Sequence, residues 1–184
     1  ENRTLIESYT TQIIDLYKNL IETNATSYID ELYKFYKDVS GVYHDITWFE
    51  KYYTLAIELA EEIIMRNPNK FYLKENKAKD IEMLARKYRV FKHYGKSLRT
   101  YLTALEHRIN LYEICDFETF LYGKKQAKND VLFVLDTAIT DVIVHLPTKK
   151  LLPMFEAFKK HDHWLEGFNQ LKNDVLEELS IIDC

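Results

Sequence analysis

Apolar residues recur every three or four positions through the first part of the chain. This spacing places them on one face of a helix, and it predicts a single helix from about Thr4 to Asp38. Gly41 is expected to end that helix, because glycine accepts the left-handed conformation that closes many helices. The series consists of Ile14, Tyr17, Ile21, Ala25, Tyr28, Leu32, Phe35 and Val39.

A second helix is predicted to begin at Thr47 and to end before Asn67 and Pro68. Thr47 and Glu50 have the spacing of a capping box, in which the threonine hydroxyl accepts from a first-turn amide and the glutamate bonds back to the threonine amide. The end follows because the residue before a proline is disfavoured in the helical region. The face expected to be buried consists of Trp48, Tyr52, Leu55, Leu59 and Ile63.

The most regular pattern of the chain is a heptad repeat that runs from Ile81 to Tyr112. Steps of three and four alternate strictly, which predicts one helix of more than thirty residues that packs at a shallow angle on its neighbours. Gly95 falls within the apolar positions, where a close approach of another helix is expected. The positions are Ile81, Leu84, Tyr88, Phe91, Gly95, Leu98, Leu102, Leu105, Ile109 and Tyr112.

Two further helices are predicted after a connection between Asp116 and Lys128. Residues 131–145 form a short segment that is apolar nearly all round, which favours a helix in the middle of the bundle, with a strand as the alternative. The last helix is expected to carry Pro153 in its first turn. Its inner face consists of Phe158, Leu165, Phe168, Leu171, Val175, Leu179 and Ile182.

These patterns predict an all-α fold, a bundle of four to five long amphipathic helices with coiled-coil-like packing. The 184 residues fit one domain over 1–184, since a chain of this length can bury a single sizeable core. The 4 Gly and 3 Pro leave little material for the turns of an all-β protein. A monomer is expected.

The charge of the chain is distributed unevenly, and this is the most informative feature of its composition. The whole chain has a formal charge of −4, whereas ten basic and three acidic residues lie between Lys70 and Arg99. An acidic protein is not expected to bind nucleic acid. The basic residues beside the heptad positions instead predict a flank that contacts an anionic membrane surface or an acidic host protein. This basic flank consists of Arg86, Arg89, Lys92, Lys96 and Arg99. The alternative is that it pairs with acidic residues of the protein itself, such as Glu58, Glu61 and Glu62.

No group of residues indicates catalysis, a metal site or a cofactor. His161 and His163 are two positions apart, so on a helix they point to nearly opposite sides and cannot easily share one ion. An activated nucleophile, a glycine-rich phosphate loop and the Glu-x-x-His motif of di-iron bundles are not found. The sequence predicts a protein that is not an enzyme and needs no cofactor. The longest apolar region, 131–146, contains charged residues, and no transmembrane segment is predicted.

Polar residues within that apolar region suggest a switch in the core. Asp136, Asp141 and His145 are expected to lie in the middle of the bundle, where Asp141 and His145 are four residues apart and can pair. A satisfied polar position in the core is the alternative. Buried polar groups of this kind would weaken the closed bundle, and opening of the helices after docking on a membrane is expected to be easier for that reason.

Cys115 and Cys184 are the only cysteines, and an even pair of this kind predicts a disulfide that ties the end of the chain to the end of the heptad helix. The sequence begins without a signal peptide, which fits either a cytosolic protein or the mature part of an exported one. The predicted disulfide favours a secreted protein. Sequons at Asn2 and Asn24 are glycosylation acceptors in a secretory compartment, or coincidences in an Asn-rich chain.

Heavy use of Asn, Lys, Ile and Tyr is typical of exported helical proteins from AT-rich parasite genomes, as in the segments 33–37 and 67–72. With its size and long helices, the chain resembles the small helical microneme proteins of Plasmodium sporozoites that act in cell traversal. The resemblance carries over no individual residue. It implies a secreted, non-enzymatic protein of host-parasite interaction that acts at host-cell membranes.

The alternative function is a carrier of small hydrophobic ligands or lipids, similar to helical proteins of insect saliva or haemolymph. Its basis is the 14 Tyr and 10 Phe of the chain, since an aromatic-rich core between long helices can open into an apolar pocket. The favoured explanation of the aromatic residues is core packing.

Overall fold

A computed structural model of the chain describes residues 2–23, 28–115, 123–161 and 163–182. These residues form eight α-helices and one 3-10 turn, and the predicted all-α class is confirmed. The helices are α1 (Asn2–Thr23), α2 (Tyr28–Ser40), α3 (Ile46–Arg66), α4 (Phe71–Val90), α5 (Tyr94–Ile114), α6 (Lys124–Asp141), α7 (Leu151–Lys159) and α8 (Trp164–Ile182), with the 3-10 turn at Ile143–His145. The number exceeds the predicted four to five because three of the predicted long helices are each divided in two.

The chain divides into two compact units, residues 1–73 and 74–184. In the first unit α2 and α3 form the core with Leu32, Tyr36, Val39, Trp48, Tyr52 and Ala56. Trp48 donates through Nε1 to the carbonyl oxygen of Val39 at 2.7 Å, which joins the end of α2 to the start of α3. A single domain over 1–184 stays a prediction.

The predicted helix from Thr4 to Asp38 is wrong, because α1 and α2 are separate helices that pack on each other. The ring of Tyr17 on α1 lies 6.0 Å from the ring of Phe35 on α2. In one straight helix, residues this far apart in sequence would be separated by about 27 Å at 1.5 Å per residue. The chain therefore reverses direction between them. Asn24 lies outside the described residues.

The start of α3 is set by Asp45 and not by Thr47. Asp45 is the N-cap residue, and its Oδ1 accepts from the backbone amide of Trp48 at 3.0 Å. Its Oδ2 accepts from Nη1 of Arg3 at 3.0 Å. The Trp48 amide and the Arg3 guanidinium hold the pKa of the Asp45 carboxyl below its usual range. The predicted end of α3 is confirmed, since Asn67 is its C-cap.

In the second unit the predicted heptad helix is two helices, α4 and α5, joined by a tight turn. Lys92 has a φ of 62°, its amide donates to Arg89 O at 2.8 Å, and the His93 amide donates to Tyr88 O at 2.8 Å. This pair of bonds is the Schellman arrangement that ends helices. Ser97 Oγ donates to Ala85 O and Arg108 Nε to Glu82 Oε1, so the two helices run antiparallel. Gly95 is the second residue of α5.

The remainder of the second unit packs against α5. Helix α6 lies along α5, and α8 contacts both α5 and α7. The strand considered for 131–145 is wrong, because α6 covers most of that segment. Pro153 lies in the first turn of α7 as predicted, but the predicted last helix is divided, and α8 begins at Trp164.

Candidate interaction surface

The turn between α4 and α5 projects a group of exposed basic and apolar side chains from the second unit. Lys92, His93 and Lys96 are exposed, and Val90 is 55% exposed. We refer to Val90, Lys92, His93, Lys96, Val144 and His145 as the α4–α5 tip. A stretch of the chain that the heptad pattern had placed inside one long helix is thus an exposed end of a helical hairpin.

The 3-10 turn after α6 contributes the other part of the tip. His145 stacks on Tyr94, the first residue of α5, with ring centroids 4.7 Å apart and planes 22° from parallel. This contact holds the 3-10 turn beside the start of α5. Val144, the neighbour of His145, is 59% exposed. The tip therefore contains exposed apolar side chains from two segments, Val90 and Val144, and two exposed lysines, Lys92 and Lys96.

The predicted basic flank is divided by the structure into exposed and half-buried members. Arg86, Arg89 and Arg99 are half-buried, whereas Lys92 and Lys96 are exposed. Nη1 of Arg89 lies 3.0 Å from Oδ2 of Asp141 on α6, and the Arg86 guanidinium lies 5.5 Å from the ring centroid of Phe133, also on α6. Arg89 thus pairs with Asp141, which is not one of the glutamates Glu58, Glu61 and Glu62 named as expected internal partners.

Arg86 and Arg89 both lie near enough to the buried Tyr101 to influence its ionisation. The Tyr101 side chain is 2% exposed, and burial raises the pKa of its hydroxyl. The nearby guanidiniums of Arg86 and Arg89 act in the opposite direction, since they favour the ionised phenol. Arg86 and Arg89 are therefore part of the packing between α4, α5 and α6.

The predicted polar core position of Asp136, Asp141 and His145 is wrong. Asp136 and His145 are exposed, and Asp141 is half-buried at the end of α6. Asp136 pairs with Lys159 of α7 and Asp141 with Arg89. Helix α6 turns its apolar face to α5, which leaves its polar residues at the surface. These three side chains are therefore not buried polar groups that would weaken the closed bundle.

A buried charge network occupies the interior of the second unit, and sequence reasoning missed it. Arg108 is 3% exposed. Its Nε lies 2.7 Å from Glu82 Oε1, and its Nη1 lies 2.9 Å from Asp130 Oδ2. The other oxygen of this carboxylate, Asp130 Oδ1, accepts a hydrogen bond from Nε2 of Gln126 at 2.7 Å. Arg108 on α5 thus connects α4 with α6. Its partners are 22 and 26 residues away in the sequence, so the spacing of residues within one helix could not predict these contacts.

The histidine pair His161 and His163 and the cysteine pair Cys115 and Cys184 were the remaining candidates for a chemical site. His161 and His163 are exposed, and the His163 amide donates to Nδ1 of His161 at 3.2 Å. Among the residues that the structure describes, no group of three His, Cys, Asp or Glu side chains is arranged to hold a metal ion. Cys115 is 2% exposed at the end of α5. Cys184 lies outside the described residues, so the disulfide stays a prediction.

Exposed apolar residues also follow one face of α1, but this face differs from the tip in charge. Leu5, Tyr9 and Leu16 are each more than half exposed. The residues beside them are mainly uncharged, as in Ser8, Gln12 and Asn19. This face supplies no attraction for an anionic surface, whereas the tip combines apolar side chains with lysines. Within the described ranges, no helix has the length and apolar character needed to cross a membrane.

Comparisons of the chain with family models, with curated proteins and with solved structures found no match. The resemblance to sporozoite traversal proteins therefore stays a prediction.

Proposed function

We propose that the protein is a secreted, non-enzymatic interaction protein that docks on anionic membrane surfaces through the α4–α5 tip. The observation that supports this most is the exposure of Val90, Lys92 and Lys96 at the turn between α4 and α5. Exposed Val144 is next to His145, which stacks on Tyr94 at the start of α5. Lysines attract anionic head groups at about 1 kcal/mol each. Apolar side chains next to them enter the boundary between head groups and acyl chains. A purely acidic protein partner would not require the valines.

The tip provides weak and salt-sensitive docking, because only a few charges take part. Arg86 and Arg89 contribute little to the contact, since they are half-buried in the packing of the second unit. The helices need not separate for this docking, because the apolar groups that enter the interface are already exposed. The proposal is thus limited to reversible attachment.

Flotation of the full chain with vesicles tests the proposal. We expect binding to vesicles that contain phosphatidylserine, weak binding to pure phosphatidylcholine, and loss of binding at high salt. The double variant Lys92→Glu/Lys96→Glu should reduce binding by at least about tenfold, given about 1 kcal/mol for each lysine. The variant Val90→Ser/Val144→Ser should weaken binding while its salt dependence persists.

A matched control is available on α6. Lys125 and Lys128 are exposed near the start of α6, whereas the tip lies beyond the other end of that helix. Lys125→Glu/Lys128→Glu changes the net charge by the same amount and should leave most of the binding intact. Equal binding to both vesicle types, or an equal loss in the control, would contradict docking by the tip. Binding to an acidic protein in place of vesicles would also contradict it.

A further inference from the structure

The first unit contains an open cavity of about 310 Å³ between α1, α2 and α3. This volume lies at the lower end of the range of small-molecule sites. Its apolar lining consists of Ile21, Ile29, Leu32, Leu55 and Leu59. These side chains belong to three helices, so the cavity is a product of their packing and offers an apolar ligand contacts on several sides.

The charged residues around this lining are mainly acidic. Glu22 from α1 and Glu58 and Glu62 from α3 line the cavity, together with one cation, Lys18. Glu62 is already paired, because its Oε1 lies 2.5 Å from Nη2 of Arg66. Glu22 and Glu58 are both exposed. The cavity thus presents an excess of negative charge.

Tyr36 adds a buried polar group to the same cavity. The residue lines the cavity and is only 4% exposed. Burial, and after it the Glu58 carboxylate, raises the pKa of the Tyr36 hydroxyl, so the phenol is neutral at physiological pH. A neutral phenol ring attracts cations through its π face. Carboxylates and a tyrosine ring in an apolar cavity are suited to an ammonium group that carries a hydrocarbon body.

We propose that this cavity binds a small protonated amine with an apolar body, such as an alkylamine. The ammonium lies between Glu22 and Glu58, and the hydrocarbon body packs on Ile21, Leu32 and Leu59. A fatty acid would place its carboxylate against like charges, and an alcohol would leave the carboxylates without a cation. The first unit as a whole favours a cation in the same way, with twelve acidic and seven basic residues.

Titration calorimetry of the full chain with octylamine, octanol and octanoate tests this ligand class. We expect octylamine to bind about tenfold more tightly than octanol, which corresponds to about 1.4 kcal/mol, and octanoate to bind most weakly. High salt should reduce the difference in affinity between octylamine and octanol, because it screens the attraction between the ammonium and the carboxylates. Because the site lies in the first unit, Lys92→Glu/Lys96→Glu should leave amine binding unchanged even if the protein does not dock on vesicles.

Neutral substitutions identify the carboxylates that hold the ammonium. Glu58→Gln and Glu22→Gln should each weaken octylamine binding several-fold and leave octanol binding unchanged. Glu31→Gln is the matched control, since Glu31 is exposed on α2 and does not line the cavity. Circular dichroism should show wild-type helicity for all three. Equal binding of octylamine and octanol, absence of octylamine binding, or octylamine binding that both variants leave unchanged would overturn the proposal.

Discussion

The guanidinium of Arg108 donates through Nε to the Glu82 carboxylate at 2.7 Å, and both side chains are almost completely buried. A second carboxylate, that of Asp130, accepts from Nη1 of the same arginine. The contacts connect three helices of the second unit. Removal of one member leaves a buried charge without its partner, which costs far more than the intact network contributes.

Arg108→Met should therefore lower the free energy of unfolding of the second unit by about 3–5 kcal/mol. Urea unfolding measures this, followed by Trp164 fluorescence in a Trp48→Phe background, since Trp164 is then the only tryptophan. The triple variant Arg108→Met/Glu82→Leu/Asp130→Leu should recover most of the loss, because no charge of this network remains without its partner. A change below about 1 kcal/mol for Arg108→Met would mean that the network is not buried in solution.

The pair of Arg89 and Asp141 should behave differently, although its separation of 3.0 Å is similar. The two side chains are 37% and 34% exposed, so water screens their attraction. A double-mutant cycle with Arg89→Ala and Asp141→Ala should give a coupling energy of about 1 kcal/mol or less. Coupling as large as that of a buried pair would contradict this difference between the two arginines.

Lys92 occupies the left-handed conformation that ends α4, which is unfavourable for any residue with a Cβ atom. Lys92→Gly should stabilise the second unit by about 1 kcal/mol, because glycine adopts this conformation without strain. The same substitution at Lys128, in the interior of α6, should destabilise by about 1 kcal/mol. Urea unfolding of both variants checks the prediction. Destabilisation by Lys92→Gly would show that the two helices are continuous in solution.

Asp45→Ala should lower the melting temperature, because the Trp48 amide and the Arg3 guanidinium both lose their acceptor. Thr47→Ala should change it little, since Thr47 does not cap α3. Thermal unfolding of both variants distinguishes the two candidate caps. A larger effect at Thr47 would restore the capping box that the sequence had predicted.

The contribution of Asp45 should also depend on pH. Its pKa is lower in the folded protein than in the unfolded chain, where it is about 3.9. The stabilisation is therefore fully present above about pH 4 and is lost as the pH falls through the lower folded value. The difference in melting temperature between wild type and Asp45→Ala should shrink in that acidic range. A difference that stays constant down to strongly acidic pH would contradict the lowered pKa.

The predicted disulfide between Cys115 and Cys184 can be tested on denatured protein without reductant. A thiol reagent should detect no free thiol. Cys184→Ser should then reduce stability, by up to about 4 kcal/mol in the chain-entropy model. Reductant should lower the stability of the wild type but not that of the variant. Two reactive thiols in the oxidised wild type would contradict the pairing.

The sequence determined the helical class and most apolar faces, because these depend on periodicity within short segments. Trp48, Tyr52 and Ile63 are buried on α3 as the pattern predicts, and Leu98, Leu102 and Leu105 are buried on α5. Pro68 indicated the end of α3 at Asn67, because the residue before a proline is disfavoured in the helical region. These signals are local, so they persist whatever the rest of the chain does.

A helix end that contains neither glycine nor proline could not be predicted from such local signals. Tyr88 and Leu98 keep the heptad spacing across the turn at Lys92, because a tight hairpin brings both apolar faces to the same side of the structure. The residue in the left-handed conformation is a lysine, which gives no turn signal. The exposed end formed by Val90, Lys92 and Lys96 therefore emerges only when the two helices are folded back on each other.

The partners of charged residues were decided by tertiary structure alone. Arg108 looks in sequence like one of many charged positions on a long helix, and it is buried because α4 and α6 bring Glu82 and Asp130 to it. Asp136 looks like a core residue within an apolar segment, and it is exposed because α6 turns its other face to α5. Periodicity identifies which side of a helix is apolar, but burial of a charge depends on which helices surround it, and that is a property of the whole packed unit.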